Sequence, residues 1–262
     1  MKILIYGYGR MSSSVLSGWL RSGANPSDIT VFNPRHKEVF EGVKFVSDVP
    51  NSSFDIILLG FKPQHLIDVT PGIQKVAGPK SIILSLLAGV CLEQLKKAFP
   101  KAKATVRFMP NLAAELCLSP TILAAEGLSS ADRKVVNTLA DMVGSAEWLE
   151  DEMLFDLATA LGGSGPGFVY RFIEALAEGA NLLGLPERTS QRLAVAMVNG
   201  AAALAARSDC SPAELATQVA SPGGMTREGL NVLDRDKALK SLIIDVLKKT
   251  EKKGSEIASK IS

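Results

Sequence analysis

The chain has 262 residues, of which 47% are hydrophobic and 21% charged, and its formal net charge is +2. This length can bury a large core in one or two domains, and the nearly balanced charge gives no indication of nucleic acid as a partner. No window contains the roughly 18 consecutive apolar residues that a membrane helix needs, and the apolar start is too short for a signal peptide. We therefore expect a cytoplasmic protein without a membrane partner.

Few residues of the chain could bind a metal or form disulfides. Its three cysteines, Cys91, Cys117 and Cys210, are widely separated, which indicates buried thiols in a reducing compartment. The two histidines, His36 and His65, lack neighbouring ligands of other types, so we predict no metal site.

The amino-terminal stretch follows the order strand, glycine turn, helix. An apolar strand at residues 3–6 precedes the sequence GYGRMS and an amphipathic stretch. In a dinucleotide-binding turn, Gly7 would allow the tight turn, Gly9 would let the backbone approach a pyrophosphate, and Ser12 is small enough for the place of a third glycine. The pyrophosphate would lie on the helix amino terminus, and the predicted cofactor-binding residues are Gly7, Gly9, Arg10 and Met11. A plain strand-to-helix turn is the alternative.

The second predicted strand, Ile29–Phe32, ends where an NAD-specific site usually places Asp or Glu for the ribose 2′-hydroxyl. No carboxylate stands there. Asn33 and Arg35 instead supply neutral and cationic donors, with His36 or Lys37 as helpers, and these suit the 2′-phosphate of NADP. We therefore predict NADPH as the cofactor, with NADH as a second candidate. An exposed basic turn without a ligand is the alternative.

Strand and helix patterns then alternate as far as residue 150. Apolar strands are predicted at residues 43–46, 55–60, 81–86 and 104–108, with shorter or weaker ones at 121–125 and 146–149. This alternation predicts an α/β fold over residues 1–150, with a Rossmann-type, doubly wound and mostly parallel sheet. Ligands of such sheets bind at the carboxyl ends of the strands. The segments Phe61–Pro63, Leu87–Gly89 and Met109–Asn111 should therefore line the nicotinamide end of the cleft.

From about Glu150 the pattern changes to helices rich in Ala, Leu and Gly, which predicts an all-helical carboxyl-terminal domain over residues 151–262. We expect a flexible break at Leu161–Gly167, helices at 168–183 and 190–207, a capping box that starts a helix at Ser211, and a last helix at Asp236–Ser259. The long apolar helices, with small residues at 200–203, favour burial against a partner subunit. We predict a homodimer or an assembly of dimers. Burial within one chain is the alternative.

The stretch from Ser221 to Thr226, with the sequence SPGGMT, predicts an anion seat. Gly223 and Gly224 allow a positive φ or a close approach to a ligand, and the residues after them are typical of a helix start with unpaired N–H groups. Ser221 and Thr226 flank the seat with uncharged hydroxyls, which suits a small substrate with a carboxylate and a polar reacting group. A tight turn between helices with a Thr cap is the alternative.

Six stretches follow one another along nearly the whole chain: Gly7-x-Gly9-x-Met11, Phe61–Gln64, Ser85–Val90, Arg107–Asn111, Gly163–Pro166 and Ser221–Leu230. Together, and in this order, they resemble the pyrroline-5-carboxylate reductase family. The spacing from Pro212 through Gly224 and Thr226 to Asp234 is the most specific part of the resemblance.

The resemblance implies an enzyme that reduces the ring C=N of 1-pyrroline-5-carboxylate to L-proline, the last step of proline biosynthesis, with a hydride from NADPH or NADH. It implies a substrate site between the nucleotide domain and the helical domain of a dimer. The residues that it implies are Gly223, Gly224, Thr226 and Glu174 for substrate binding, Thr226 and the supporting Ser221 for catalysis, and Lys62, Pro63, Ala88 and Asn111 along the cofactor. Hydride transfer to a protonated cyclic imine requires positioning rather than a strong acid, which agrees with a candidate site without His, Cys or metal.

One loop departs from the family. After Met109-Pro110-Asn111 the family usually continues with Thr-Pro and then glycines, whereas this chain has Leu112-Ala113-Ala114 and reaches Pro120 without a glycine. Because this loop is expected to border the cleft, two alternatives stay open. One is a reductase of another cyclic imine or small oxo acid, and the other is a non-catalytic nucleotide-binding paralogue.

Overall fold

The computed structural model describes residues 1–258, which form an eight-stranded sheet and a set of α-helices. The strands are β1 Ile3–Tyr6, β2 Ile29–Phe32, β3 Lys44–Val46, β4 Ile56–Leu59, β5 Ile82–Ser85, β6 Ala104–Met109, β7 Ser119–Ala125 and β8 Gly144–Trp148. The helices are α1 Arg10–Arg21, α2 Leu66–Gln74, α3 Leu92–Ala98, α4 Ser130–Asp141, α5 Phe155–Ala158, α6 Gly165–Leu182, α7 Glu187–Ala205, α8 Pro212–Gln218, α9 Met225–Asp234 and α10 Ala238–Ala258. The predicted end of the last helix at Ser259 lies outside the described residues. Within residues 1–258, no helix combines the length and the apolarity needed to cross a membrane.

The sheet has the strand order β3-β2-β1-β4-β5-β6-β7-β8. All neighbouring strands are parallel except β6 and β7. β1 lies between β2 and β4, with Tyr6 level with Phe32 on one side and Leu59 on the other. The carboxyl end of β1 is therefore the point where the strand order reverses, which is where doubly wound sheets bind their ligands. The predicted Rossmann-type, mostly parallel fold is confirmed.

Both faces of the sheet are covered, so the central strands are continuous apolar runs. On one face Ile3 and Ile5 belong to the same core as Trp19 of α1. On the other face Leu4 belongs to the same core as Ile73 of α2. The Trp19 side chain is fully buried and donates from Nε1 to the carbonyl of Leu139 at 2.8 Å, which satisfies its only polar atom.

The loop that departs from the family folds against helix α1. Leu112–Leu116 form a 3-10 helix, and Ala114 within it is fully buried. A Cβ built on Gly18 of α1 would lie 2.2 Å from the carbonyl oxygen of Ala114, so glycine at position 18 allows this close approach. The altered sequence after Asn111 therefore builds an internal packing contact.

The chain divides into two compact units, one formed by Met1–Ser164 with residues 249–258 and the other by Gly165–Lys248. Within the second unit the long helices bury few side chains, namely Ala177 in α6 and Ser190 and Ala194 in α7. Large apolar side chains are exposed along the same two helices, among them Tyr170, Leu182, Leu193, Val195 and Leu204.

The domain boundary at residue 150 stays a prediction.

The flexible break expected at Leu161–Gly167 is wrong. Thr159–Gly163 form a π-helical turn, in which the N–H of Ser164 donates to the carbonyl of Thr159 at 3.0 Å. Helix α6 then begins at Gly165. A Cβ built on Gly162 would lie 3.1 Å from Cδ1 of Ile122, so this glycine allows close packing rather than flexibility.

Candidate functional site

The glycine turn after β1 has the geometry that a dinucleotide-binding turn needs. Gly7 has φ +93°, and a Cβ there would lie 3.0 Å from the backbone of Gly60 and Phe61. Ser12 is buried and donates from Oγ to the carbonyl of Gly7 at 3.0 Å. A Cβ on Gly60 would lie 1.9 Å from the Ser12 oxygen, so Gly60 makes the room that Ser12 occupies. The motif has Ser12 where a third glycine often stands, and Gly60, which follows the neighbouring strand β4, provides the space for the Ser12 side chain.

The amino terminus of α1 can accept a phosphate. Its N-cap is Gly9, which has an extended conformation and no side-chain cap. Among residues 1–258, no side chain accepts a hydrogen bond from the N–H groups of Arg10 and Met11. A Cβ built on Gly9 would have one neighbour within 4 Å, the carbonyl oxygen of Gly60 at 3.8 Å. This open backbone with its unpaired donors fits a pyrophosphate.

Asn33 connects the glycine turn to the basic turn after β2. Its Oδ1 accepts a hydrogen bond from the N–H of Tyr8 at 3.2 Å, and its Nδ2 donates to the carbonyl of Arg35 at 2.7 Å. The side chain of Arg35 is exposed. The turn therefore presents a cation, and no carboxylate, at the position where the ribose of a dinucleotide is bound in this fold.

The turns after β4 and β5 hold three of the predicted cofactor residues. Lys62 is exposed and precedes a 3-10 helix that begins with Pro63. After β5, Gly89 has φ +78°, and the N–H of Val90 donates to the carbonyl of Leu87 at 3.2 Å. A cavity of about 180 Å³ lies beside this turn, and its lining includes Ala88, Gly89, Asp156, Thr159 and Ser164.

Asn111 occupies a structural position at the end of β6. It is 5% exposed, and its Oδ1 accepts a hydrogen bond from the N–H of Ala113 at 2.8 Å. Its Nδ2 donates to the carbonyl of Gly162 in the π-helical turn, also at 2.8 Å. Both ends of the side-chain amide are thus bonded within the chain.

Sequence reasoning missed a buried ion-pair network beside these turns. Arg107 of β6 is 5% exposed and donates to Glu152 at 3.1 Å and to Asp156 at 2.9 Å. Its guanidinium carbon lies 3.7 Å from the ring centroid of Phe155. The available signal was an arginine inside an otherwise apolar central strand, because such a charge requires partners.

The second unit contains the Ser221–Thr226 stretch, and its geometry is that of an uncapped helix start. Gly223 has φ +70°, and Gly224 is the N-cap of α9 without any side-chain cap. The N–H of Gly224 donates to the carbonyl of Ser221 at 3.0 Å, and a Cβ on Gly224 would lie 2.5 Å from the Ser221 hydroxyl oxygen. Of the alternative, a tight turn between helices with a Thr cap, the turn between α8 and α9 is present, but Gly224 and not a threonine occupies the cap position.

The structure brings Ser221, Gly223, Gly224 and Thr226 together in the second unit, and Ser221 and Thr226 are exposed there. Glu174 lies elsewhere in that unit. It forms an ion pair with Arg171 and lines a cavity of about 430 Å³ between α6 and α7.

Among residues 1–258, no three His, Cys, Asp or Glu side chains form a group that could hold a metal ion. The three cysteines are free thiols, but all three are partly exposed, so the expectation that they are buried is wrong.

Comparisons with known proteins cover nearly the whole chain. The family model described as pyrroline-5-carboxylate reductase dimerisation matches residues 152–257, and the model described as NADP oxidoreductase coenzyme F420-dependent matches residues 2–89. The pyrroline-5-carboxylate reductase of Aquifex aeolicus is 33% identical over 263 residues, which is 98% of this chain and 97% of that protein. Pyrroline-5-carboxylate reductase 2 of Bacillus subtilis is 32% identical over 266 residues, which is 98% of this chain and 95% of that protein. The solved structure of a pyrroline-5-carboxylate reductase from Coxiella burnetii has a TM-score of 0.89 at 27% identity and covers 98% of each chain. With relatives more than 30% identical over nearly its full length, this chain belongs to the pyrroline-5-carboxylate reductase family.

Proposed function

We propose that this chain reduces 1-pyrroline-5-carboxylate to L-proline, the last step of proline biosynthesis, with NADPH as the hydride donor. The family membership supports this reaction. Among the residues, the main support for this reaction is the amino terminus of α9, which follows Gly223 and has no side-chain cap. It offers backbone N–H donors for a small carboxylate next to the Thr226 hydroxyl.

The seat would hold the substrate carboxylate through N–H groups of the turn at Gly223 and of the first turn of α9. Gly224 contributes its conformation rather than its own donor, since its N–H is bonded to Ser221. The N–H groups of Gly223, Met225 and Thr226 are the donors that we assign to the carboxylate. The positive end of the helix dipole adds to their attraction for an anion.

The chemistry requires positioning more than acid catalysis. When bound, NADPH supplies the hydride. The ring carbon of the protonated imine accepts this hydride while the C=N π pair moves to nitrogen, which leaves the secondary amine of proline. The Thr226 hydroxyl would hydrogen-bond the ring nitrogen and keep the imine carbon at near-attack distance, with Ser221 in support. Glu174 is the further substrate contact that the family resemblance implies, and it belongs to the proposal on that ground alone.

The cofactor half of the proposal places the pyrophosphate at Gly7, Gly9, Arg10 and Met11, and the 2′-phosphate at Asn33 and Arg35. Lys62, Pro63, Ala88 and Asn111 would line the remainder. The exposed Arg35 favours NADPH over NADH, because only NADPH has a 2′-phosphate for it to bind. Replacing Arg35 by Ala should therefore weaken NADPH binding more than NADH binding in direct titrations.

We further propose a homodimer, or an assembly of dimers, with residues 1–150 as the cofactor domain and 151–262 as the substrate and dimerisation domain. The match of the dimerisation model to residues 152–257 and the exposed apolar side chains of α6 and α7 support it. A cytoplasmic location is supported by the free thiols, which persist in reducing compartments.

The test is steady-state NADPH oxidation with 1-pyrroline-5-carboxylate for the wild type, Thr226→Ala and Thr226→Ser. Thr217→Ala is the matched control, because Thr217 is an exposed threonine of α8 whose hydroxyl bonds only the carbonyl of Ala213 among the described contacts. We expect kcat/KM to fall about 100-fold in Thr226→Ala, as for other single groups that hydrogen-bond the reacting atoms in a transition state. Thr226→Ser should retain most of the activity and Thr217→Ala all of it.

Two results would overturn the proposal. One is a wild type that binds NADPH but leaves 1-pyrroline-5-carboxylate unreduced. The other is a Thr226→Ala variant as active as Thr217→Ala. A second substrate tests the seat itself: 1-pyrroline lacks the carboxylate, so its KM should be much higher while Thr226 still acts on its nitrogen.

A further inference from the structure

We propose that Arg107 is a positioning residue for the turn Leu87–Val90 and that it acts through Glu152. The inference rests on the proposed function in one respect, namely that this turn contacts the cofactor through Ala88. The link between Arg107 and the turn is a property of the ligand-free protein and can be tested separately.

The turn is anchored at both of its ends. On the strand side, the Ser85 hydroxyl accepts the N–H of Leu87 at 3.2 Å. On the helix side, α3 begins at Leu92, and the N–H of Leu92 donates to Oε1 of Glu152 at 2.8 Å. A residue distant in sequence thus satisfies one of the amide groups that a helix start leaves unpaired. A capping box also closes this helix start, with the N–H of Cys91 donating to Oε1 of Gln94 at 3.0 Å. The Glu152 carboxylate is therefore one of two contacts that fix where the turn ends.

Arg107 fixes that orientation. Its Nη1 donates to the same Oε1 atom of Glu152 at 3.1 Å, and its Nη2 donates to Asp156 at 2.9 Å. The guanidinium plane is further held against the Phe155 ring. The Arg107 side chain is 6% exposed, whereas that of Glu152 is 30% exposed. Arginine therefore supplies the rigid part of the network, and the glutamate would turn toward water without it.

The network has a consequence for the cofactor-binding turn. Without Arg107, the carboxylates of Glu152 and Asp156 would lose the cation that both of them contact, and Glu152 would leave the Leu92 amide. The turn would then keep only the Cys91–Gln94 capping box on the helix side, and the backbone at Ala88 would sample other positions. Binding of a dinucleotide would require this order to be restored, so its affinity would fall.

The experiment compares Glu152→Ala, which removes the acceptor for Leu92, with Glu152→Gln, which keeps an oxygen there. Lys103→Met is the matched control, because it removes another ion pair of the same unit, the 2.7 Å contact with Asp132. Arg107→Lys and Arg107→Met test the arginine itself. The readouts are the Kd of NADPH by fluorescence titration, amide hydrogen exchange of residues 87–95 without cofactor, and Tm.

We expect Glu152→Ala and Arg107→Met to weaken NADPH about tenfold, the size of one lost hydrogen bond to a charged group, and to speed exchange at Leu92. Glu152→Gln should stay within about threefold of the wild type, and Arg107→Lys should lie between the wild type and Arg107→Met. Lys103→Met should lower Tm without changing Kd.

One result would overturn the inference: Glu152→Ala lowers Tm, but the Kd of NADPH is unchanged and the Leu92 amide stays protected from exchange. The network would then have a purely structural role. A wild type that fails to bind NADPH would instead refute the proposed function. Hydrogen exchange at Leu92 would still decide whether Arg107 holds the turn.

Discussion

Asn111 donates a hydrogen bond of 2.8 Å from its side-chain amide to the carbonyl oxygen of Gly162, and so links the end of β6 to the π-helical turn. We predict that Asn111→Asp lowers the free energy of unfolding by about 2–3 kcal/mol, because a buried donor is replaced by a carboxylate oxygen that faces a carbonyl. Urea unfolding followed by circular dichroism measures this. Asn181 is an exposed counterpart that donates to the carbonyl of Leu185 at 2.9 Å, so Asn181→Asp should cost under about 1 kcal/mol. Equal losses in the two variants would contradict the prediction.

Because Gly224 lies close to Ser221, we predict that substitutions at these two positions have coupled effects on activity. A Cβ on Gly224 would lie 2.5 Å from the Ser221 hydroxyl oxygen, so Gly224→Ala should displace that side chain and lower kcat/KM by about tenfold or more. In a Ser221→Ala background the displaced oxygen is absent, and the same substitution should cost less. A cycle of the wild type, both single variants and the double variant gives the coupling. Strictly additive effects would show that the two residues act independently.

Asp132 predicts a dependence of stability on pH. The hydrogen bond from Lys103 at 2.7 Å, and then that from Ser129 at 2.6 Å, hold the pKa of this carboxyl below 3.8. Because the folded-state pKa lies below the unfolded value, the stabilisation is complete above about pH 4 and is lost as the pH falls through the folded-state pKa. Asp132→Asn should therefore be less stable than the wild type at neutral pH, with a gap that closes in acid. Urea midpoints across this range test it, and a gap that stays constant down to the acid limit would contradict it.

A larger side chain at Gly200 tests the proposed dimer. In the single chain, a Cβ built on Gly200 would have no neighbour within 4 Å. If the small-residue surface at 200–203 packs against a second subunit, Gly200→Leu should shift the protein from dimer to monomer in sedimentation velocity runs. Gly78→Leu is the matched control, because Gly78 is equally open but lies in the first unit. An unchanged dimer mass in Gly200→Leu would place the interface elsewhere.

The parts of the fold that sequence reasoning predicts correctly depend on local chemistry. The apolar run Ile56–Leu59 indicates a buried parallel strand by itself. The capping box of α8 is complete within four consecutive residues, with the Ser211 N–H donating to Glu214 at 2.7 Å and the Glu214 N–H donating to the Ser211 hydroxyl at 3.3 Å. The positive φ of Gly223 likewise follows from a glycine pair before a helix.

The parts that were missed depend on contacts between distant residues. Arg107 meets Glu152 and Asp156 across 45 and 49 positions, a distance over which no sequence pattern indicates a pairing. The glycines near position 162 suggest flexibility from sequence alone, because the residues that they contact, Ile122 of β7 and Asn111 after β6, are distant in sequence. Asn111 itself was expected along the cofactor from family resemblance, and only the folded chain shows that its amide is bonded to the backbone on both sides.

The sparse burial in α6 and α7 connects stability to protein concentration. Helices that bury little beyond Ala177, Ser190 and Ala194 gain little from the hydrophobic effect on their own. In the proposed dimer, the exposed apolar side chains are buried only when a second chain covers them, so the hydrophobic stabilisation of this unit depends on association. Folding and association of this unit then become one equilibrium. Dilution then acts as a denaturant, and the melting temperature rises with the amount of protein in solution. An enzyme built in this way loses its substrate seat by unfolding when it is scarce, not merely by separating into intact subunits.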